Sequence, residues 1–130
     1  MLDPMSSEAN PTAAALGGEL GVRVTRPSPE VAVLSVRGEV DSLTMPQLEV
    51  GVTELLALPS AGHVIDLSQV SFLASGGLAV LIRAAQLTEE LGHRLRLVVT
   101  TRAVRRPLQL TGSDQLFDLF ENLDTATGSV

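Results

Sequence analysis

The sequence predicts an α/β domain, on three observations. Short apolar runs rich in β-branched residues alternate with longer stretches whose apolar residues recur at helical spacing. The segment from Val64 to Val99 reads strand, helix, strand, with a length that suits a parallel crossover. A chain of 130 residues with 45% hydrophobic content is also the right size for one domain with a real core between sheet and helices.

Taken in order, residues 1–18 mix Ser, Ala, Pro, Asn and Gly and read as a flexible leader, with the folded domain expected over 19–121. Leu20 to Arg26 and Val31 to Arg37 read as two strands of a hairpin turning through Pro27-Ser28-Pro29-Glu30. A first helix is expected from Met45 to Ala57, with Pro46 in its first turn and Pro59 as its stop. Val64 to Leu67 forms the next strand, followed by a loop, a helix from about Gly77 to Leu91 and a stop at Gly92. On that helix Leu78, Leu81, Ile82 and Ala85 form one apolar stripe, and Val80, Ala84, Leu87 and Leu91 form another; both cannot easily face one sheet, so one is expected to pack under neighbouring helices, the alternative being that its exposed part joins the Ser75 surface in docking. Leu95 to Val99 is the parallel strand. Thr101 then caps a third helix that ends at Gly112, and Pro107 inside it should bend or shorten it. Leu116 to Phe120 fits either an edge strand or a helical turn, and 122–130 reads as a polar, frayed tail.

Composition narrows function. A net charge of −6 argues against a nucleic-acid footprint or a polybasic membrane surface. The absence of cysteine removes disulfides, thiol switching and thiolate metal sites, and agrees with a cytoplasmic setting. No secretory pattern precedes the domain, and the longest mainly apolar stretch, Phe72 to Leu87, is shorter than the roughly 20 residues that span a bilayer. A serine hydrolase would need G-x-S-x-G, but Leu73 fills the first glycine position. Gly76-Gly77 lacks the lysine-bearing phosphate loop, so no cofactor is called for. His63 and His93 are too few for a metal site and lie beside strand or turn edges without an evident orienting partner, so they read as structural or incidental polar residues. Arg102, Arg105 and Arg106 read as a solvated helix face.

The sharpest local feature is Ser75, where strand and loop give way to a helix. A helix start leaves backbone N–H groups without intrahelical partners and favours negative charge, so a phosphate on this hydroxyl would be well accommodated. Taken locally, however, the residues favour a plain N-cap role, worth about 1 kcal/mol.

Read together, G-E-V-D at 38–41, V-I-D-L-S-Q-V-S-F-L-A-S-G-G-L-A-V-L at 64–81, R-L-R-L-V at 94–98 and A-V-R-R-P-L-Q-L-T-G at 103–112 resemble the STAS domain family, and within it the bacterial anti-sigma factor antagonists. The resemblance implies a sheet of four to five mixed strands backed by three to four helices, and a protein–protein switch in place of catalysis. It implies an anti-sigma factor with serine-kinase activity that phosphorylates the serine of a D-S-S-G or D-S-T-G pattern, here Ser75, and a serine phosphatase that reverses the step. Unphosphorylated antagonist captures the anti-sigma factor and releases sigma. Asp41 matches the family's acidic residue near the switch serine. The expected contact surface is therefore Asp41, Ser42, Ser75, Gly76 and Gly77. Two positions depart from the pattern, Ala74 where Asp is usual and Gly76 where Ser or Thr is usual. The S-G-G-L-A string at 75–79 also resembles T-G-G-L-A in STAS subunits of phospholipid-transport ABC systems, which makes a transporter regulator the alternative expectation.

Overall fold

The computed structural model describes residues 19–128, so the expected leader and the last two residues of the tail lie outside the described residues. Strands β1 (Gly21–Ser28) and β2 (Val31–Val40) are followed by α1 (Met45–Ala57), β3 (Gly62–Leu73), α2 (Ser75–Glu90) and β4 (Arg96–Val98). Helix α3 (Arg102–Thr111), a 3₁₀ turn (Ser113–Leu116), β5 (Asp118–Phe120) and α4 (Leu123–Gly128) complete the order. The five strands form one sheet in sequential order; β1–β2 is antiparallel and every other pair is parallel. This is the mixed α/β sheet that the sequence predicts.

Alternation along the strands splits the core between two faces. Ala32, Leu34, Val36, Ile65, Leu67 and Leu97 point toward α1, α2 and α3, where Leu48, Leu55, Leu81, Val104 and Leu108 meet them. Val31, Val33, Val64 and Val98 point the other way and are covered by Ala126, Phe120 and Leu123. The frayed tail expected from residue 122 is thus corrected: six of its residues form α4, and Ala126 is buried against the valines. Few apolar residues are needed there because the sheet supplies the apolar surface.

Helix α1 has the predicted bounds, and its Gly51 brings it close to the sheet, since a Cβ there would lie 2.9 Å from Leu34 Cδ1. The two stripes of α2 are also explained. Leu78, Leu81, Ala84 and Ala85 are buried, Val80 and Ile82 pack against the same core, and Leu91 is left exposed at the helix end. Helix α3 runs through Pro107 to Thr111 and stops at Gly112, whose φ of +74° suits glycine.

Strand β3 is much longer than expected. It runs on through Ser68, Gln69 and Ser71 because β2 offers ten residues of partner, with pairings Arg37↔Gln69, Gly38↔Val70, Glu39↔Phe72 and Val40↔Leu73. The register shifts on either side of Gly38, which has φ +117°. The loop expected before α2 does not exist.

Of the two readings of the histidines, the structural one holds, although His63 is buried and partnered where an exposed edge residue is expected. His63, at the start of β3, is 1% exposed. Its Nε2 lies 2.8 Å from the Leu58 carbonyl and its Nδ1 2.8 Å from His93 Nε2. A carbonyl only accepts, so His63 Nε2 carries a hydrogen, and the Nδ1 lone pair accepts from His93 Nε2–H. The pair ties the end of α1 and the turn after α2 to the base of β3. Burial first, then the electrostatic influence of the neighbouring His63 and Arg96, holds the His93 pKa below its ordinary value of 6.5.

The folded state therefore favours neutral His93, and its contribution is complete above the unfolded-state pKa and lost as pH falls from there through the lowered folded value. The melting temperature should decline as pH drops below about 6.5, and His93→Gln should flatten part of that decline. Parallel melting curves against pH for the two proteins would contradict the assignment.

Candidate functional site

Two parallel strands, β2 and β3, end side by side at Val40 and Leu73, and the candidate site is built on those ends. In parallel sheets the carboxyl ends of the strands are the ordinary place for a binding surface. The chain leaves β3 through a single residue. Ala74 donates its N–H to the Val40 carbonyl (2.8 Å) and is the N-cap of α2, in extended conformation. Ser75 is the first residue of the helix, so the N-cap role expected of Ser75 falls to Ala74, which has no side chain to perform it. The reason is that β3 stays paired until Leu73, which moves the helix start two residues earlier than the glycines suggest.

Ser75 is exposed, and among the described residues nothing is hydrogen-bonded to its hydroxyl. The first intrahelical bond in this turn runs from Leu78 N–H to the Ala74 carbonyl (3.0 Å), which leaves the amides of Ser75, Gly76 and Gly77 without intrahelical acceptors. No acidic side chain stands in this first turn.

Asp41 follows Val40 directly and is half-buried. Its Oδ1 accepts from the backbone N–H of Leu43 (2.9 Å) and Thr44 (3.0 Å), and its carbonyl accepts from Met45 N–H (2.9 Å). Thr44, 1% exposed, completes the turn by donating its hydroxyl to the Glu39 carbonyl (2.7 Å) and accepting from Asp41 N–H (2.9 Å). Asp41 is therefore the anchor of the turn into α1. Ser42 and Leu43 form the exposed crest of that turn, Leu43 with 65% of its surface free.

The two glycines differ. Gly77 is buried, and a Cβ there would overlap Val40 Cγ1 and lie 2.9 Å from Leu73 Cδ1. It lets α2 sit directly on the ends of the two strands and has no surface to offer a partner, which corrects its expected place on the contact surface. Gly76 is half-exposed, and a Cβ there would lie 2.9 Å from Met45 Sδ. The turn from Asp41 to Met45 and the first turn of α2, with Ser75 and Gly76, thus leave the same pair of strand ends, and the structure adds Leu43 and Met45, which no motif singles out. A broad depression of about 550 Å³ opens elsewhere, lined by Arg23, Ser35, Arg37, Asp66 and Ser68 on the sheet, and includes none of the residues around Ser75.

Residues 23–126 match the family model of the STAS domain. This chain belongs to the STAS domain family. Among its relatives is the anti-sigma-F factor antagonist RsfB of Mycobacterium tuberculosis, 43% identical over 101 residues that cover 75% of this chain and 80% of that one. Its fold is shared with the crystal structure of an anti-sigma factor antagonist from Mycobacterium paratuberculosis, at a TM-score of 0.77 and 37% identity, covering 87% of this chain and 95% of that chain. The unphosphorylated form of the anti-sigma factor antagonist SpoIIAA aligns with a TM-score of 0.62 over 81% of this chain and 92% of its own, with 15% identity, a likeness of fold.

Gly77→Ala should destabilise this STAS domain by about 1–3 kcal/mol, since a packed strand end must yield. Gly76→Ala should cost much less, because the flexible Met45 side chain can move and a helical glycine is itself unfavourable by roughly 0.5–1 kcal/mol relative to Ala. Urea denaturation of the two variants checks the contrast, and equal losses would contradict it.

Proposed function

We propose that this STAS domain is an anti-sigma factor antagonist: it captures an anti-sigma factor with serine-kinase activity, frees the sigma factor, and is released when Ser75 is phosphorylated. A serine phosphatase restores the binding form. The observation that carries this reading is the exposed, unpartnered Ser75 hydroxyl at the first position of a helix that starts directly on the paired ends of β2 and β3. The 43% identity to RsfB and the 37% identity to the Mycobacterium paratuberculosis protein support it, whereas no observation favours the transporter-subunit alternative.

A phosphate adds about −1.5 to −2 charge at neutral pH. Within the domain that charge lies beside the free amides and positive dipole end of α2, so the fold tolerates it. At a contact it has to be desolvated against the partner, and a loss of only about 1.4 kcal/mol weakens binding tenfold. The same modification therefore leaves the domain folded and opens the complex. Ser42 and Gly76 belong to the contact surface in this reading, and Asp41 acts by holding Ser42 and Leu43 in place.

Ala74 has two consequences that can be separated. An Asp at this N-cap position would supply the missing cap, so Ala74→Asp should stabilise the domain by about 0.5–2 kcal/mol. It should also speed phosphorylation of Ser75 by restoring the carboxylate beside it; a stabilised variant with an unchanged rate would show that the carboxylate acts on the helix alone. The function itself is tested by incubating the chain and its co-purifying anti-sigma factor with ATP and mapping the product by mass spectrometry. One phosphate on Ser75, abolished by Ser75→Ala, is the expected result, and a phosphate on Ser42, Ser68 or Ser71 would overturn the assignment.

A further inference from the structure

Met45 is the first residue of α1 and Gly76 the second of α2, and the two touch where the helices begin. A Cβ on residue 76 would stand 2.9 Å from Met45 Sδ, closer than carbon and sulfur approach without bonding. The thioether therefore fills the space that a side chain at 76 would need. Around it Ala74 and Gly76 have no polar side chain, α2 has no acidic residue in its first turn, and the one neighbouring carboxylate of the turn, Asp41, directs its Oδ1 to the amides of Leu43 and Thr44. Leu43, beside Ser42 on the turn that leads to Met45, is the most exposed apolar side chain of this turn.

We infer that Met45 and Gly76 are a matched specificity pair: the empty position at 76 seats the Met45 thioether over the first turn of α2, where it and Leu43 present an apolar ledge beside Ser75 to an apolar surface of the anti-sigma factor. The inference rests on the antagonist reading and names the kind of partner surface that reading requires. A serine at 76 cannot coexist with the thioether where it lies. Methionine has three rotatable bonds, so the fold survives by swinging the side chain out, but the ledge is then lost. Because the contact is apolar, its strength should depend little on ionic strength.

The test is a double-mutant cycle read by calorimetry, with the anti-sigma-F factor of Mycobacterium tuberculosis as the probe, chosen because RsfB is named as its antagonist. Gly76→Ser and Met45→Ala should each weaken binding about tenfold, and the double variant should bind no worse than Met45→Ala, since removing the thioether makes room for the serine. Should Gly76→Ser fail to fold, Gly76→Ala, which adds only the Cβ, takes its place in the cycle. A readout independent of the partner is the Met45 methyl resonance, which Gly76→Ser should shift while the melting temperature stays close to that of the parent. An unmoved resonance, additive losses in the cycle, or binding that collapses when salt is raised would each overturn the inference while leaving the antagonist reading intact. No binding by the parent chain to this probe or to a co-purified anti-sigma factor would instead overturn the antagonist reading, and the inference with it.

Discussion

The parallel pairing of β2 with β3, kept to the last residue of each strand, is the constraint on which the candidate site depends. Val40 opposes Leu73, the Val40 carbonyl accepts the Ala74 N–H, and Gly77 seats the next helix directly on the Val40 side chain. There is no slack between strand and helix. Ser75 is thereby held on a rigid element, and a change in its charge is felt at the surface and not absorbed by a loop. The same pairing fixes Asp41, which comes one residue after Val40 and converts the end of β2 into the turn that starts α1. Both helix starts consequently meet at one end of the sheet.

The opposite end of β3 is fixed by a different interaction. His63 there is hydrogen-bonded to the end of α1 and to His93 just past α2, so the two helices that frame Ser75 are tied down at their far ends as well. Buried polar groups that find both partners restrict a structure to one arrangement, whereas a half-satisfied one would be costly. A switch that works by adding charge requires this rigidity: if α2 could shift, part of the effect of a phosphate would be spent on moving the helix.

What was legible in the sequence was what local chemistry decides. Pro46 and Pro59 bracket α1, Gly112 stops α3, and the apolar runs mark β2, β4 and the core of β3. What escaped depends on distant neighbours. Ser68, Gln69 and Ser71 resemble a turn until β2 is placed beside them, and the true start of α2 follows from that pairing, which overrides the preference of a hydroxyl residue for the cap. His63 and His93 are thirty residues apart, and nothing near either one signals the other. Ala126 looks like part of a polar tail because its burial is supplied by valines on three other strands. At the candidate site, motif and spacing pointed to Ser75, Asp41 and Ser42, while the exposure of Ser75 and the turn that Asp41 anchors came only with the structure. Gly76 and Gly77 are indistinguishable in sequence, and only the contacts with Met45 and with Val40 separate a position open to a partner from one filled by packing.

Ser75 lies on a junction rigid enough that a phosphate there should alter the surface while the fold stays as it is. Amide hydrogen exchange on the Ser75-phosphorylated and unmodified chains tests it most directly. Protection across β3 and across α2 beyond its first turn should be the same in both forms, with changes confined to the amides of residues 75–77 that face the phosphate. Faster exchange along the whole of α2, or at Val40 and Leu73 where the strands end, would contradict the account, because it would mean that the modification works by releasing the helix from the sheet.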